Sequence, residues 1–330
     1  MLAPTKKLNP KVFDLNVEQA PIRKGFGEGL VLAGEQDERV VGLCADLTES
    51  TQMHLFRDKF PKRFVEIGVA EQNLAGVASG LAAMGKIPFF SSYAMFSPGR
   101  NWEQIRTTIC YNNRNVKIVG SHAGVSVGPD GGTHQAIEDI AIMRVIPRMT
   151  IIVPADALEA KRATLAIAKH NGPTYLRLAR EKTPIITTDD SPFVIGQANV
   201  LVAPETPTAV IIACGPLVYQ ARVAARLLAR EKIIVTVVNC HTVKPLDQKT
   251  ILAEAKRAGA MVTVEEHQQI GGLGGAIAEL LGAHYPTPIE FVGVRDEFGQ
   301  SGTPAELVEH YGLGVEAIFS AVKKVIQRRG

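Results

Sequence analysis

The sequence predicts an α/β protein with two domains, each a mostly parallel sheet flanked by helices. Short β-branched runs alternate with helical patterns along the 330 residues, of which 46% are hydrophobic. The strand segments are too apolar to alternate between a buried and an exposed face, which is typical of parallel sheets covered on both sides. A chain of this length buries one large core or two ordinary ones, and two domains are the better expectation.

Two sets of segments carry this pattern. Those with the short, β-branched composition of buried strands are Arg39–Cys44, Val116–Gly120, Thr150–Val153, Thr208–Ala213, Ile233–Val238, Met261–Val264 and Ile289–Val292. Those with the apolar spacing of helices are Ala70–Met84, Pro98–Tyr111, Ala155–Lys169, Leu217–Arg230 and Gly274–Leu281. The alternation of the two sets indicates βαβ units.

The alternation breaks between Lys182 and Pro207, where prolines and clustered polar residues indicate turns. We therefore predict a first domain over residues 1–190 and a second over residues 191–330. The apolar stretch Phe193–Val202 within the break is expected to form an added pair of strands.

The charge balance excludes two classes of partner. Lysine and arginine number 36 against 33 aspartates and glutamates, so the net charge of +3 predicts no basic face for nucleic acid or membrane. No apolar run approaches the ~20 residues of a membrane span, and Met1–Leu15 lacks the apolar core of a signal peptide. We expect a cytoplasmic protein.

The cysteines point to the same compartment. No Cys-x-x-Cys pair is present, and each cysteine lies in or beside an apolar run: Cys44, Cys110, Cys214 and Cys240. Buried free thiols are therefore expected, and not disulfides or a zinc site.

Polar residues concentrate where predicted strands end in the first half of the chain, the edge at which parallel α/β sheets place their sites. Within Phe64–Leu74 a short strand is expected to lead into the helix Ala75–Leu81, which is rich in small residues, with Glu71 in its first turn. Glu71 then faces whatever crosses the strand ends. The alternative interpretation is a carboxylate that only stabilises the helix dipole, by ~0.3–1 kcal/mol.

Two further segments lie at predicted strand ends. Phe89–Phe96 is rich in aromatic residues, which pack in the core by default. A strand end then enters a glycine-rich loop that contains His122, Asp130 and His134. Glycine permits positive φ and close backbone approach, so a ligand is expected to pass here. A metal site built from the two histidines and the aspartate is the alternative.

Two arginines and a run of glycines are the remaining candidates. Arg180 follows a predicted strand and Arg23 lies early in the chain, and arginine forks suit phosphate or carboxylate, although a surface arginine without a ligand is commoner. Gly271–Gly275 looks like a dinucleotide loop, but Ile277 occupies the last glycine position of that motif. Tight packing of a helix on a strand is therefore expected there.

In this order the segments resemble the pyrimidine-binding domain of the transketolase family, and the resemblance continues through that family's C-terminal domain. It covers nearly all of the chain from Arg23 onward. The segments that carry it are Ala45–Ser50, Gly68–Glu71, the aromatic run, Asp130–Gln135 and Arg180. The resemblance implies a thiamine-diphosphate-dependent transferase, as the C-terminal subunit of a split transketolase that moves a two-carbon ketol unit between sugar phosphates.

The resemblance also implies how this chain holds the aminopyrimidine end of thiamine diphosphate. Glu71 matches the catalytic glutamate, whose carboxyl group, kept partly protonated by burial, bonds N1′ and favours the imino tautomer that removes the C2 proton. Phe96 and Tyr93 match the aromatic positions that stack on the aminopyrimidine, with Phe90 in reserve. Asp46 resembles an acid close to the cofactor.

Substrate positions carry over from the family in the same way. His122, Asp130 and His134 match residues that contact the hydroxyls and the carbonyl oxygen of the sugar. His134 is expected to be an acid/base partner in carbon–carbon cleavage. The groups that match the family's distal phosphate site are Arg23, Ser50 and Arg180.

The diphosphate-binding domain of full-length relatives has no counterpart in this sequence. That domain holds the diphosphate and a magnesium or calcium ion through a Gly-Asp-Gly motif followed by asparagine ligands, whereas Pro129–Gly131 belongs to the substrate loop. An N-terminal subunit is expected to supply it, in a heterotetramer of two chains of each kind. We expect the sequence from Met1 to be a complete gene product.

Three alternatives stay open. A 1-deoxyxylulose-5-phosphate-synthase-like enzyme has a similar glycine-rich loop, but His122 favours transketolase because relatives of the synthase tend to lack that histidine. The β subunit of a 2-oxo-acid dehydrogenase also lacks the diphosphate domain, but its substrates carry no distal phosphate for Arg23, Ser50 and Arg180. The third alternative is a non-catalytic relative that only binds a partner. Such a relative has no need of the residues retained here, which are Glu71, His122, Asp130 and His134.

Overall fold

A computed structural model describes residues 8–329 of the chain. Its strands divide between two large sheets and one small sheet. The strands are β1 (Gln19–Pro21), β2 (Val40–Cys44), β3 (Phe64–Glu66), β4 (Ile87–Tyr93), β5 (Lys117–Ser121), β6 (Thr150–Ile152), β7 (Thr174–Arg177), β8 (Lys182–Pro184), β9 (Asn199–Val202), β10 (Ala209–Ala213), β11 (Val235–Asn239), β12 (Thr242–Lys244), β13 (Met261–Gln268) and β14 (Ile289–Val294).

Helices alternate with these strands. The α-helices are α1 (Ile22–Gln36), α2 (His54–Lys59), α3 (Glu71–Ala83), α4 (Trp102–Gln104), α5 (Asp139–Arg144), α6 (Ala157–Lys169), α7 (Leu217–Arg230), α8 (Gln248–Ala258), α9 (Leu273–His284), α10 (Pro304–His310) and α11 (Val315–Gln327). Short 3-10 helices cover Pro61–Arg63 and Val125–Asp130, and a π-helix over Ile105–Tyr111 continues α4.

The larger sheet has seven strands in the order β12-β6-β7-β5-β4-β2-β3. Its neighbours are parallel except for β12, which runs antiparallel to β6 at one edge. Strands β2 and β5 are buried along their whole length, as expected for a parallel sheet with both faces covered. The carboxyl ends of the parallel strands meet at one edge of the sheet.

The second large sheet has five strands in the order β14-β13-β10-β11-β9, with β9 alone antiparallel to its neighbour. Strand β12 lies between β11 and β13 in the sequence, but it pairs with β6 of the first sheet. The small sheet joins β1 to β8 in antiparallel fashion, with Pro21 opposite Lys182. This pairing brings the start of α1 next to the segment that follows β7.

A continuous hydrophobic core joins the two large sheets. It contains Phe90 and Ile118 from the first sheet together with Val210 and Ile212 from the second. Each Å² of apolar surface removed from water contributes ~25 cal/mol, so separating the two halves would expose surface that stabilises both. The domain boundary near residue 190 stays a prediction.

The predicted α/β class with two mostly parallel sheets is confirmed. The predicted strands are present with small shifts at their ends, and the helix over Leu217–Arg230 has the predicted bounds. The predicted helix Pro98–Tyr111 begins later, at Trp102, because the residues before it form a turn in which the Arg100 N–H donates to the Phe96 carbonyl at 2.9 Å. The rest of that segment is π-helical.

The predicted strand pair over Phe193–Val202 is wrong. Only Asn199–Val202 forms a strand, which closes one edge of the second sheet. Phe193 instead stacks on His241, with 4.3 Å between the ring centres. The segment therefore packs through an aromatic contact where a strand partner was expected.

Two smaller predictions are confirmed. All four cysteines are buried and free. Gly272 and Gly274 pack against Glu265 and Phe291, which is the tight contact of helix and strand expected for the glycine run.

Within residues 8–329, no helix is both long and apolar enough to cross a membrane.

Candidate functional site

The predicted site residues lie at the carboxyl edge of the seven-stranded sheet. Those that follow or end its strands are Asp46 after β2, Glu71 after β3, Tyr93 at the end of β4, His122 after β5 and Arg180 after β7. Neighbouring parallel strands end at the same edge, so residues far apart in sequence meet there. Arg23, in the first turn of α1, joins them because β1 pairs with β8 directly after Arg180.

Glu71 is buried and ion-paired. It is the first residue of α3 and is 4% exposed. Arg100 Nη1 lies 3.0 Å from Glu71 Oε1 and 3.2 Å from Oε2. Asn101 Nδ2 donates to the Glu71 carbonyl oxygen at 3.0 Å. Glu71 therefore combines a position in the first turn of a helix with burial and an arginine partner, which is more than the helix-dipole interpretation requires.

Arg100 connects Glu71 to the aromatic residues. Its guanidinium carbon lies 4.3 Å from the centre of the Phe96 ring, and its side chain is 51% exposed. A planar cation is thus stacked on one ring while it donates to a buried carboxylate. An open groove beside the pair is lined by Val69 and Gln72.

Tyr93 and Phe96 form an aromatic cluster with two histidines. The Tyr93 ring lies 3.9 Å from the His122 ring and 5.9 Å from the Phe96 ring, and both contacts are stacked. His134 meets Phe96 edge-on at 5.4 Å between ring centres. Phe90, the reserve candidate, is fully buried in the core and packs there.

His122 is held in a defined orientation at the end of β5. It has φ 57° and is 2% exposed. Its Nδ1 lies 2.9 Å from Ser121 Oγ, and Arg23 Nη1 lies 3.4 Å from its Nε2. Burial, together with the positive charges of Arg23 and Arg180, lowers the pKa of His122 to about 3. His122 is therefore neutral at physiological pH.

Arg23 links α1 to the segment after β2. Its Nη1 donates to the Ser50 carbonyl oxygen at 2.5 Å, so the predicted phosphate residues Arg23 and Ser50 are in contact. Burial, followed by the positive charge of Arg180, lowers the pKa of Arg23. Arg180 therefore disfavours the charged form of Arg23, and an anion bound near both guanidinium groups would offset that effect.

Arg180 faces the glycine-rich loop. Its Nη1 donates to the Val127 carbonyl oxygen at 2.6 Å and lies 3.8 Å from Asp130 Oδ2. Glu181 Oε1 lies 3.5 Å from its Nε. Arg180 thus holds the loop through a backbone bond and keeps two carboxylates nearby, with 30% of its side chain exposed.

His134 and Asp130 lie on the same loop. His134 Nδ1 lies 2.9 Å from Thr133 Oγ1, and its ring is half-buried against the aromatic cluster. Asp130 ends the 3-10 helix and is exposed. In the described part of the chain, no three His, Cys, Asp or Glu residues are arranged to hold a metal ion, so the metal alternative gains no support there.

Asp46 lies in a turn organised by Glu66, a residue that no sequence motif singles out. Asp46 is exposed, has φ 58°, and its N–H donates to Glu66 Oε1 at 2.7 Å. Glu66 also accepts from Thr48 Oγ1 at 2.7 Å and from the Gly68 N–H at 3.0 Å. The turn therefore holds the ends of β2 and β3 together.

Two family descriptions match the chain. Residues 18–185 match the pyrimidine binding domain of transketolase, and residues 196–318 match the transketolase C-terminal domain. Together the two matches span most of the sequence. The chain belongs to the transketolase family.

Relatives similar along their whole length include separate subunits. A putative transketolase C-terminal section from Methanocaldococcus jannaschii is 44% identical over 310 residues, which cover 93% of this chain and 96% of the relative. A 6-deoxy-6-sulfo-D-fructose transketolase subunit from a Clostridium species (strain MSTE9) is 40% identical over 317 residues, covering 96% and 98%. A solved structure described as a split gene transketolase, an inactive beta4 tetramer, is 42% identical with a TM-score of 0.88, and the match covers 94% of this chain and 99% of that chain.

These similarities confirm the predicted resemblance to the C-terminal part of a transketolase. They also confirm the predicted enzyme class, a thiamine-diphosphate-dependent transferase that works as a subunit.

Proposed function

We propose that this subunit binds the aminopyrimidine end of thiamine diphosphate and the sugar, and that the assembled enzyme moves a two-carbon ketol unit between sugar phosphates. The observation that carries the proposal is the buried Glu71 carboxylate, joined through Arg100 to the ring of Phe96. His122 and His134 lie against the same aromatic cluster.

These residues fit an aminopyrimidine. Phe96 already offers its ring face to a flat group, the Arg100 guanidinium, and that group already donates to the Glu71 carboxylate. An aminopyrimidine is flat and carries nitrogens that bond to a carboxyl group, so it makes the same two kinds of contact. When bound, thiamine diphosphate supplies the nucleophilic carbon that carries the two-carbon unit.

Each residue of the cofactor end has its own task in this proposal. Glu71 holds a proton at N1′ of the ring and so controls the protonation of its amino group. Phe96 and Tyr93 fix the plane of the ring. Asp46, at the neighbouring strand end, is proposed as an acid close to the cofactor.

The sugar is proposed to lie across the glycine-rich loop. Neutral His122 acts there as a hydrogen-bond partner of a sugar oxygen and not as a charge. Asp130 accepts from a hydroxyl group. His134 gives or takes a proton at the carbonyl oxygen while the carbon–carbon bond breaks.

The anionic end of the sugar is assigned to Arg23, Ser50 and Arg180. The repulsion between the two guanidinium groups favours a ligand with negative charge, and each charge-assisted hydrogen bond contributes ~1.5–3 kcal/mol. The Clostridium relative is named for a sulfonated sugar, whose anionic oxygens resemble those of phosphate. We assign phosphate to this chain because Ser50 and both arginines match the family's phosphate site.

A separate N-terminal subunit is proposed to hold the diphosphate and a magnesium or calcium ion, in an assembly of two chains of each kind. Two observations support this: relatives of the same length are described as a C-terminal section and a subunit, and the similar split gene structure is an inactive tetramer of β chains. Four buried free thiols support a cytoplasmic location.

Calorimetric titration with thiamine diphosphate and Mg²⁺ tests whether the N-terminal subunit is needed to hold the diphosphate. The chain alone is expected to bind the cofactor weakly, and an equimolar mixture with the N-terminal subunit is expected to bind it tightly and to catalyse ketol transfer. Tight, metal-dependent binding to this chain alone would overturn the split-subunit assignment. A tightly binding mixture without ketol transfer would overturn the assigned reaction.

A further inference from the structure

The second sheet holds the glycine-rich loop through Glu266. This residue lies on β13, is 2% exposed, and accepts the Ser126 N–H at 2.6 Å through Oε1. Ser126 lies within the 3-10 helix that ends at Asp130. This hydrogen bond is short and buried, so water does not compete for it, and it fixes the backbone of this helix.

Gly124 permits the close approach of Glu266. It has φ 89°, and a Cβ at this position would collide with the Glu266 carboxyl group. Further along the loop, Gln135 Nε2 donates to the Gln300 carbonyl oxygen at 3.0 Å, and Gly132 packs against Gly299. The second half of the chain therefore holds the loop at both of its ends.

Glu266 is itself held by the first sheet. Arg177 Nη2 donates to the Glu266 carbonyl oxygen at 2.8 Å and to the Ala136 carbonyl oxygen at 3.1 Å. Arg177 Nε lies 2.8 Å from Asp139 Oδ2, and both side chains of this pair are buried. The backbone of Glu266 is therefore tied to a buried ion pair.

We propose that Glu266 is a positioning residue for the sugar: it fixes the glycine-rich loop from the second sheet and so places Asp130 and His134 against the substrate. The inference rests on the proposed function and gives the C-terminal domain a role at the substrate end of the site. At the cofactor end, Glu71 begins α3 and Phe96 follows β4, and the loop meets these segments through the edge contacts of His134 with Phe96 and Tyr93. Loss of Glu266 should therefore affect the sugar far more than the cofactor.

Glu265 offers a matched control. It precedes Glu266 on β13, is also 2% exposed, and accepts the N–H groups of Leu273 and Gly274 at 2.7 Å each. These partners lie at the start of α9, away from the glycine-rich loop. Burial raises the pKa of both glutamates. Replacing Glu265 removes a carboxylate of the same type and burial without releasing the loop.

Hydrogen–deuterium exchange of the full chain tests the contact itself. Glu266→Ala should speed exchange at Ser126 and its loop neighbours by at least about tenfold, whereas Glu265→Ala should do so only at Leu273 and Gly274. Glu266→Gln keeps an acceptor oxygen and should keep the loop protected. Unchanged exchange at Ser126 in Glu266→Ala would overturn the inference. If Glu266→Ala does not fold, Glu266→Asp, which is too short to reach Ser126, replaces it.

Kinetics of the assembled enzyme test the consequence. Glu266→Ala should lower kcat/KM for both sugars by at least about tenfold and leave the dissociation constant of thiamine diphosphate within about twofold, with recovery in Glu266→Gln. Equal losses in Glu265→Ala and Glu266→Ala would overturn the positioning role. Absence of ketol transfer in the wild-type complex would reject the proposed function, and the exchange experiment would still decide whether Glu266 holds the loop.

Discussion

Replacing His122 with asparagine should reduce the loss of unfolding free energy that the protein suffers when the pH falls below neutrality. In the folded chain, burial and the neighbouring charges of Arg23 and Arg180 lower the pKa of His122 to about 3, whereas an unfolded histidine has a pKa of about 6.5. The stability that this depressed pKa contributes is fully present above about pH 6.5 and is lost as the pH falls toward the folded value. Asparagine is the replacement of choice because it tolerates the φ of 57°.

The size of the effect follows from these two pKa values. Between pH 7.5 and pH 5.0 the unfolded histidine changes from mostly neutral to mostly protonated, while folded His122 stays neutral. The difference corresponds to about 1.5 pKa units at about 1.36 kcal/mol each. The wild type should therefore lose about 2 kcal/mol more unfolding free energy than His122→Asn over this interval.

Urea denaturation curves of both proteins, recorded at one protein concentration and at both pH values, measure this difference. His241, whose pKa burial lowers to about 4, is present in both proteins, so its contribution cancels. His284→Asn, which replaces an exposed histidine, is the comparison variant. If wild type and His122→Asn lose stability in parallel to within about 0.5 kcal/mol, His122 is not held neutral by its surroundings.

Three further predictions concern the charged residues of the site and its support. Arg180→Ala should raise KM for phosphorylated sugars by about 10- to 100-fold more than KM for unphosphorylated acceptors, because only the former lose a charge-assisted bond of ~1.5–3 kcal/mol, whereas loss of the bond to the Val127 carbonyl oxygen affects both; equal effects on both would assign Arg180 to structure. A double-mutant cycle of Glu71→Gln and Arg100→Gln in urea should give a coupling of about 0.5–2 kcal/mol, since the half-exposed arginine is screened by solvent; no measurable coupling would mean that the ion pair is absent in solution. Asp139→Ala should lower the unfolding free energy by about 3–5 kcal/mol because it leaves the buried Arg177 without its carboxylate; a loss under about 1 kcal/mol would contradict that burial.

The sequence was sufficient to predict the fold class but not every element. Buried parallel strands such as β10 and β11 are recognisable because a short, uninterrupted β-branched run between turn residues is typical of a strand covered on both faces. Helix α1 was missed because its glycines lower intrinsic helix propensity. Packing against α6 compensates for this low propensity. Gly25 lies so close to the backbone of Ala157 that a side chain at this position would collide with it. The pairing of β12 with β6 depends on tertiary contacts and leaves no local signal.

In the candidate site, too, residues in a recognisable segment were predicted, and residues defined by distant contacts were not. Glu71, the aromatic run and the glycine-rich loop were found because their order along the chain resembles a family. Arg100 and Glu266 were not assigned a role, because their partners lie 29 and 140 positions away and nothing local identifies them. The same holds for Glu66, whose hydrogen bonds to the segment after β2 depend on the adjacency of β2 and β3.

The role of Glu71 in activating the cofactor is the central claim, and hydrogen–deuterium exchange at C2 of bound thiamine diphosphate tests it most directly. The measurement compares wild type with Glu71→Gln in the complex with the N-terminal subunit, beside the melting temperature of each. Glutamine keeps a hydrogen bond but cannot exchange a proton with N1′ in the same way, so assembly should survive while C2–H exchange slows by orders of magnitude. Normal exchange in a normally assembled Glu71→Gln complex would contradict the assignment and leave Glu71 a structural residue of α3.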